Sequence, residues 1–486
     1  MTVRERGKLD EGDLLRNRAY VDGRWIGGGD APIEVDDPFT QAIFAEVPRL
    51  GADETLAAIE SASAAFPAWA TRPARERGAI LRRWFDLLQR HRDDIARLIV
   101  LENGKVWKEA QAEVDYGAGF VEFYADEGTR SLGEIIPAAQ SGRRLLVERE
   151  PIGVCAAITP WNFPLAMLTR KAAPALAAGC TMIAKPAEAT PLTALALARL
   201  GEEAGIPPGV FNVITGKAQA IGEVLTASPI VRKLSFTGST EVGAMLAAAC
   251  APTIKRLGLE LGGNAPLLIC DDADLEVAVE TAFVAKFRNG GQSCIAANRI
   301  YAQRGILDRF LAAFGARVAA MKAGDGFAPD SDIGPMIDAA GTAKFAQHRE
   351  EALAGGAHII AGGGDIADRV VPATLLADVR HDALLAREET FGPLAGVISF
   401  DTIEQGITLA NDTPFGLAAY LCAQDPATIA RVSRALETGM VGINTGLIST
   451  AHAPFGGVKM SGLGREGSAH GLAEYQNLKY LCQAGL

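Results

Sequence analysis

The middle of the chain alternates short apolar runs with segments whose apolar residues recur at the spacing of one helix face. Val154–Ile158 is small or apolar throughout, which is typical of a strand buried on both faces. Further along, Leu192, Leu195 and Leu200 fall at helical spacing. Thr190, which a proline follows, is the predicted N-cap of this helix.

The same alternation continues to about residue 302. Strands are predicted at residues 182–185, 210–214, 231–236, 255–260, 267–270 and 299–302, and helices at 219–225, 239–249 and 275–287. Strands that alternate with helices predict a parallel sheet, and two such series indicate two α/β units with a site between them. Residues 143–150 and 480–483 predict isolated strands, which could pair with each other or with another subunit.

The length and charge of the chain limit its class. At 486 residues it is too long for one hydrophobic core, so two or three domains are expected. A net charge of −11 argues against nucleic acid as the main partner, because phosphate binding needs a basic surface. No apolar stretch is long enough to cross a membrane, and residues 1–13 lack the apolar core of a secretory signal. We therefore expect a cytoplasmic location, and the seven irregularly spaced cysteines predict neither disulfides nor a metal site.

Two glycine-containing segments carry candidate reactive groups. Cys294 ends the segment Gly290-Gly291-Gln292-Ser293-Cys294. A tight turn here would expose the Cys294 thiol and its backbone N–H, although free cysteines are often buried core residues. Glu260 lies at the end of an apolar strand in the segment Leu259-Glu260-Leu261-Gly262-Gly263-Asn264. Parallel sheets carry catalytic groups at this end of their strands. A solvated charge at a strand end is the alternative for Glu260.

Two further segments are candidates for binding. Asn162 lies in a stiff loop between two prolines, in the segment Thr159-Pro160-Trp161-Asn162-Phe163-Pro164. The Asn162 amide could donate a hydrogen bond to an oxyanion, or it could only cap a turn. Residues 236–243 join a strand to a helix, and the helix N-terminus beyond Gly238 and Ser239 could receive a phosphate. Glycine turns of this kind are common, so the segment is weak evidence by itself.

These segments, with Lys185-Pro186-Ala187-Glu188 at the end of another strand, resemble in order and spacing the aldehyde dehydrogenase superfamily. The resemblance runs from about Tyr20 to the C-terminus, and it adds Glu388-Glu389-Thr390-Phe391-Gly392-Pro393 and Pro454-Phe455-Gly456-Gly457. It implies an α/β fold that assembles as a homodimer or homotetramer. The expected parts are a Rossmann-like NAD-binding domain (1–130 and 151–262), a second α/β catalytic domain (263–460) and a small β oligomerisation extension (131–150 and 461–486).

The resemblance implies a covalent mechanism. Cys294 would add to the aldehyde and give a thiohemiacetal, whose oxyanion the Asn162 amide and the Cys294 N–H would hold. Hydride transfer would leave a thioester, and Glu260 would activate the water that hydrolyses it. Lys171 matches a family lysine near the site. Because an unperturbed thiol has a pKa of roughly 8.5, Cys294 is expected to need local activation.

The resemblance also implies a dinucleotide cofactor. Lys185 and Glu188 would hold the adenosine ribose. A carboxylate at Glu188 accepts hydrogen bonds from a free 2′-hydroxyl and repels a 2′-phosphate, so NAD is favoured over NADP. NADP stays open, since Lys185 could pair with a phosphate. The other expected cofactor contacts are Trp161, Gly238, Ser239, Gly262, Glu389 and Phe391.

Within the superfamily, residues 441–467 resemble the succinate-semialdehyde dehydrogenase subgroup, and Arg170, Arg288 and Ser449 match its carboxylate contacts. Two guanidiniums and a hydroxyl would clamp the far carboxylate of a short ω-semialdehyde, whether succinate or glutarate semialdehyde, or a sulfonate or phosphonate aldehyde. Each arginine alone could instead form a surface or interdomain salt bridge. Ala296 stands where some members carry a second cysteine, so a disulfide switch with the nucleophile is not expected.

Other activities are weighed against this one. A broad-specificity aldehyde dehydrogenase would have apolar residues in place of the two arginines. An enzyme that passes the acyl group to CoA needs no hydrolytic base, so Glu260 argues against it. A catalytically silent structural or binding member of the fold is disfavoured by the intact set of Asn162, Glu260 and Cys294.

Overall fold

The computed structural model describes residues 8–28 and 31–485, and two large sheets organise it. The strands are β1 (Ala19–Val21), β2 (Arg24–Ile26), β3 (Ile33–Asp36), β4 (Ile43–Val47), β5 (Glu134–Ile136), β6 (Arg143–Pro151), β7 (Val154–Ile158), β8 (Thr181–Lys185), β9 (Phe211–Val213), β10 (Val231–Thr237), β11 (Arg256–Glu260), β12 (Ala265–Ile269), β13 (Ala297–Gln303), β14 (His358–Ala361), β15 (Thr374–Ala377), β16 (Leu394–Phe400), β17 (Phe415–Gly416), β18 (Ala418–Cys422), β19 (Met440–Ile443), β20 (Val458–Lys459), β21 (Gly462–Leu463) and β22 (Gln476–Ala484).

Helices fill most of the connections between these strands. They are α1 (Ala52–Ala70), α2 (Ala74–Arg90), α3 (Arg92–Asn103), α4 (Trp107–Glu127), α5 (Ala166–Ala178), α6 (Leu192–Ala204), α7 (Ala218–Ala227), α8 (Thr240–Cys250), α9 (Leu275–Phe287), α10 (Arg304–Ala319), α11 (Ala339–Ala354), α12 (Leu384–Arg387), α13 (Ile403–Asn411), α14 (Pro426–Ala435) and α15 (Ser468–Ala473). Among the described residues, no helix is long and apolar enough to cross a membrane.

The first sheet has the strand order β2-β1-β9-β8-β7-β10-β11-β21, and its five central strands are parallel. Strand β7 is buried at every position, and its residues alternate between two cores. Cys155 and Ala157 pack into one hydrophobic cluster, whereas Val154, Ala156 and Ile158 pack into another. Both faces of the sheet are therefore covered, which confirms the predicted α/β fold.

The second sheet has the order β14-β15-β16-β13-β12-β18-β19, and it is parallel apart from β14. A third sheet consists of β22, β6 and β5. In it β22 pairs with β6 along its whole length, from Gln476 opposite Pro151 to Ala484 opposite Arg143. The two strands that the sequence left without a partner therefore pair with each other. The domain boundaries given above stay a prediction.

The start of α6 corrects one expectation. The helix begins at Leu192 and its cap residue is Pro191, so Thr190 is not the N-cap. The buried Glu102 carboxylate replaces a local cap: it accepts the Leu192 N–H at 2.7 Å and the Thr193 N–H at 2.9 Å. Burial raises the pKa of Glu102 to about 7. A cap from a residue 90 positions away leaves no local sequence signal.

Candidate active site

Most of the predicted site residues line two cavities whose walls come from segments next to the two large sheets. Parallel strands end at the same edge of a sheet, and Thr237 lies opposite Glu260, Phe236 opposite Ile158, and Ile158 opposite Lys185. The loop after β7 and the turn after β10 therefore begin beside Glu260. The second sheet contributes the segments that precede its strands, since residue 294 comes just before β13 and residues 389–391 come before β16.

Cys294 lies between two cavities and lines both of them. The larger cavity has a volume of about 650 Å³ and the smaller one of about 260 Å³. The turn before Cys294 has left-handed backbone at Asn289, Gly290 and Gly291, with φ of 56°, 59° and 72°. A Cβ at Gly263 would lie 2.3 Å from the Cys294 carbonyl oxygen, so only glycine allows this approach. The thiol side chain is half-buried.

The larger cavity brings together six of the predicted cofactor contacts. Trp161 and Phe391 meet edge to face with ring centroids 5.5 Å apart. The Ser239 hydroxyl accepts the Val242 N–H at 3.3 Å and caps α8. Burial raises the pKa of Glu389 to about 7. The six contacts that line this cavity are Trp161, Gly238, Ser239, Gly262, Glu389 and Phe391.

These walls fit a dinucleotide. A helix N-terminus beside Gly238 and Ser239 offers N–H groups to a phosphate, and the aromatic pair offers apolar surface to a flat ring. The carboxyl group of Glu389, which faces the same space, can accept hydrogen bonds from ribose hydroxyls. The donor set therefore matches the phosphate, ring and sugar parts of such a cofactor.

Lys185 and Glu188 lie at the end of β8, outside the walls of this cavity. The Glu188 carboxylate accepts a hydrogen bond from Lys217 Nζ at 2.9 Å and from the Ala218 N–H at 3.1 Å. Burial would raise the pKa of Glu188, but Lys217 and this N–H hold it below its usual value. Burial lowers the pKa of Lys185 to about 8. Lys217 was not predicted, and it partly neutralises the carboxylate on which the NAD preference depends.

Asn162 and Glu260 also line the larger cavity, next to Cys294. Asn162 Nδ2 donates a hydrogen bond to the Gln292 carbonyl at 3.1 Å, which ties its side chain to the nucleophile turn. Among the described residues, Glu260 Oε2 has no hydrogen-bond partner although it is buried. Burial and the nearby Glu466 raise the pKa of Glu260 well above its usual value.

Burial and two carboxyl groups also act on the nucleophile. Burial raises the pKa of Cys294 to about 12, and Glu389 and Glu260 add to this effect. The resting protein therefore holds Cys294 as a thiol at neutral pH. A positive charge brought next to the thiol would favour its ionised form.

Lys171 lies behind this site rather than in it. It is fully buried, it lines neither of the two cavities, and its Nζ donates a hydrogen bond to Thr237 Oγ1 at 2.6 Å. Its Nζ also pairs with Glu466, whose other oxygen lies 2.7 Å from Arg170 Nε. Glu466 was not predicted as a site residue. Lys171 thus contacts the residues that support the site, and its role in catalysis stays a prediction.

The smaller cavity contains all three predicted substrate contacts, Arg170, Arg288 and Ser449. Arg170 is buried and lies 2.7 Å from Glu466, which it shares with Lys171, and among the described residues its Nη2 has no hydrogen-bond partner. The Arg288 side chain has no ion pair or hydrogen bond with any described residue. Its guanidinium instead lies over two aromatic rings of the cavity wall, with the centroid of Tyr116 at 5.7 Å and that of Phe163 at 5.3 Å. The Ser449 hydroxyl shares a hydrogen bond with the Tyr116 hydroxyl.

Cys294 lies between a cavity whose walls fit a dinucleotide and a smaller cavity that contains two arginines. This arrangement agrees with the comparison of the chain with known families. The model of the aldehyde dehydrogenase family matches residues 25–481. The chain belongs to the aldehyde dehydrogenase family. It is therefore an NAD(P)-dependent aldehyde dehydrogenase, as the sequence predicts.

Relatives of known activity share the whole length of this aldehyde dehydrogenase. The glutarate-semialdehyde dehydrogenase of Pseudomonas aeruginosa is 51% identical, over 99% of this chain and 100% of its own. The NADP-dependent succinate-semialdehyde dehydrogenase of Escherichia coli is 52% identical, over 98% and 99% of the two chains. The crystal structure of succinate-semialdehyde dehydrogenase from Burkholderia pseudomallei is 50% identical, covers 98% of this chain and 100% of its own, and superposes with a TM-score of 0.97.

Proposed function

We propose that the enzyme oxidises a short aldehyde with an anionic group at its far end, succinate or glutarate semialdehyde, to the carboxylic acid. Two of the relatives described above act on these two compounds according to their names, which supports the proposal. A sulfonated or phosphonated aldehyde of similar length has the same charge pattern and stays an alternative.

The observation that carries this proposal is the unpaired guanidinium of Arg288. It is half-buried beside Cys294 in a cavity of about 260 Å³, and no described carboxylate forms an ion pair with it, although Glu109 is near enough for the two charges to attract. A partly desolvated cation without an ion pair attracts an anion, so the cavity favours a ligand that carries one. The Ser449 hydroxyl faces the same cavity and would add a hydrogen bond to that anion.

The chemistry follows from the groups around Cys294. After the Cys294 thiol has lost its proton to solvent, its thiolate would add to the aldehyde carbon, and the Asn162 amide and the Cys294 N–H would hold the resulting oxyanion. Collapse of this thiohemiacetal would re-form the carbonyl as a thioester and release a hydride from the same carbon. NAD(P), when bound in the larger cavity, supplies the acceptor for that hydride.

Glu260 would then act on the thioester. Its raised pKa makes its carboxylate a stronger base than an ordinary glutamate, and it faces the cavity that Cys294 lines. It would take a proton from a water molecule that attacks the thioester carbon. The thiolate of Cys294 would leave, and the carboxylic acid product would be released.

Glu389, Trp161 and Phe391 would hold the nicotinamide half of the cofactor, and Gly238 and Ser239 the phosphates. Lys185 and Glu188 would hold the adenosine ribose. The preference for NAD stays a prediction, which the Glu188 carboxylate favours and the neighbouring Lys217 weakens.

The third sheet supports assembly into a homo-oligomer. Ile135, Leu478 and Tyr480 on its strands β5 and β22 are 71%, 63% and 59% exposed, which is unusual for large apolar side chains. A second copy of the chain would bury them, as a dimer or as a tetramer. The domain boundaries and the cytoplasmic location remain predictions.

Replacement of Arg288 by methionine tests the substrate assignment. We expect kcat/KM for succinate semialdehyde to fall about 100-fold, because a charge-assisted contact is worth about 3 kcal/mol. The value for butanal should stay within about threefold, since butanal carries no anion for Arg288 to bind. NADH or NADPH formation at 340 nm would measure both.

Arg317→Met is the matched control for that experiment. Arg317 also lies over an aromatic ring, at 3.9 Å from the Phe283 centroid, but it is exposed and lines neither cavity. The Arg317→Met variant should have the native kcat/KM for both succinate semialdehyde and butanal. If Arg288→Met lowers kcat/KM for succinate semialdehyde and for butanal by the same factor, Arg288 does not bind the anionic group of the substrate. The substrate assignment would then be wrong.

A further inference from the structure

A fully buried ion pair lies next to the loop that carries Asn162. Lys105, between α3 and α4, pairs with Glu113 of α4, and both side chains are 0% exposed. Neither residue lines either cavity around Cys294. A buried ion pair is at best neutral for stability compared with well-packed apolar residues. Its presence at this position therefore calls for an explanation other than stability.

Each member of the pair holds one part of the Asn162 loop. Lys105 Nζ donates a hydrogen bond to the Asn162 backbone carbonyl at 3.0 Å and lies 3.9 Å from the centroid of the Phe163 ring. Glu113 Oε1 accepts the N–H of Leu165 at 3.0 Å, at the point where α5 begins. The loop is thus fixed both at Asn162 and at Leu165, where it leads into α5.

The turn before Cys294, residues 289–292, also holds the Asn162 loop. Asn289 Nδ2 donates to the Asn162 carbonyl and to the Gln292 carbonyl, both at 3.0 Å. The Asn162 carbonyl therefore accepts from two donors, Lys105 and Asn289, which occupy both of its lone pairs. Such a carbonyl cannot rotate without loss of a buried hydrogen bond, so the backbone at Asn162 is fixed, and the side chain is held in addition by the hydrogen bond from Asn162 Nδ2 to the Gln292 carbonyl.

We propose that Lys105 and Glu113 are positioning residues, which hold the Asn162 amide at the place where the oxyanion forms. This inference rests on the proposed oxyanion role of Asn162. Pre-organised donors stabilise a developing charge without moving, and a displacement of about 1 Å can lower a rate about 100-fold. The pair itself lines neither cavity, so it acts through the residues that it contacts, mainly Asn162, and also the Phe163 ring in the wall of the smaller cavity.

The test is a double-mutant cycle between the pair and Asn162. Lys105→Met alone would leave Glu113 as an unpaired buried charge, so the pair is replaced as Lys105→Met with Glu113→Gln. Glutamine keeps an oxygen that can accept the Leu165 N–H, and the double replacement is uncharged. The pair variant is made in the native protein and in Asn162→Ala, and the rate of NAD(P)H formation is measured in single turnovers.

We expect Asn162→Ala to lower this rate about 10²- to 10³-fold, as removal of one oxyanion donor does. The pair variant should lower it about 10- to 100-fold in the native background and less than about threefold in Asn162→Ala. KM for aldehyde and for cofactor should not change. Arg92→Met, which removes an exposed ion pair between α3 and α4, is the matched control and should leave the rate unaffected.

Two results would overturn the inference in different ways. If the pair variant lowers the rate by the same factor in both backgrounds, the pair has a general structural role and the positioning role is wrong, while the oxyanion role stands. If Asn162→Ala leaves the rate unchanged, the oxyanion role itself fails, and the positioning role fails with it.

Discussion

Replacement of Cys294 by alanine is expected to lower kcat/KM for succinate semialdehyde by at least about 10⁴-fold, since loss of a nucleophile removes the whole covalent route. Cys294 is the cysteine that lines both cavities, and alanine removes only its sulfur. The cofactor site should survive, so the Kd of NAD(P), measured by quenching of tryptophan fluorescence, should stay within about threefold.

Cys482→Ala is the matched control for this replacement. Cys482 is an exposed cysteine on β22, and it lines neither cavity. It should leave kcat/KM unaffected. Residual activity of Cys294→Ala above about 1% of native would contradict a covalent mechanism through this sulfur.

Replacement of Glu260 by glutamine is expected to stop the reaction after hydride transfer. Glutamine keeps the size of the side chain but cannot take a proton from water, so thioester hydrolysis should slow about 10²- to 10⁴-fold. One equivalent of NADH should form rapidly and further turnover should be slow. Mass spectrometry of the quenched protein should find the acyl group on Cys294.

The pH dependence gives a second test of Glu260. Its raised pKa favours the neutral acid, so the carboxylate that acts as base becomes more abundant as the pH rises. Thioester hydrolysis by the native enzyme should therefore accelerate as the pH rises above the range in which an ordinary glutamate titrates, and Glu260→Gln should lose this dependence. Hydroxylamine, which attacks thioesters directly, should restore turnover to the variant. The absence of an initial burst in the variant would rule out the proposed role.

Much of the site follows from strand ends that can be read in the sequence. Glu260 ends an apolar strand, and Asn162 and Gly238 follow two others, so the parallel sheet brings them to one edge. The glycines before Cys294 predict a turn, and three consecutive left-handed residues form it. In these cases the local pattern determines the position, because strand ends and turns depend on nearby residues.

Contacts between residues far apart in the chain were not predictable in the same way. Glu102 caps α6 from 90 positions away, Lys217 pairs with Glu188, and Glu466 joins Arg170 to Lys171. Such partners become neighbours only through packing, and a charged residue by itself suggests a solvated surface position. Glu466 lies within the segment that resembles the semialdehyde subgroup, and this was the one signal that could have indicated it.

The two arginines of the smaller cavity illustrate the difference. The sequence predicts equivalent roles for Arg170 and Arg288. In the structure Arg170 lies beside Glu466, which Lys171 shares, whereas Arg288 lies over the rings of Tyr116 and Phe163. Arg170 still contributes positive potential to the cavity that it lines. We propose that both arginines contribute to recognition of the anion, with Arg288 the one that has no ion pair among the described residues.

The central claim is that the native enzyme selects aldehydes by an anionic far end. The most direct measurement is kcat/KM of the native protein for succinate semialdehyde and for butanal, which have the same carbon number, at one ionic strength and saturating NAD or NADP. The account predicts a preference of about 100-fold or more for succinate semialdehyde, or about 3 kcal/mol of transition-state discrimination. Equal values, or a preference for butanal, would contradict it.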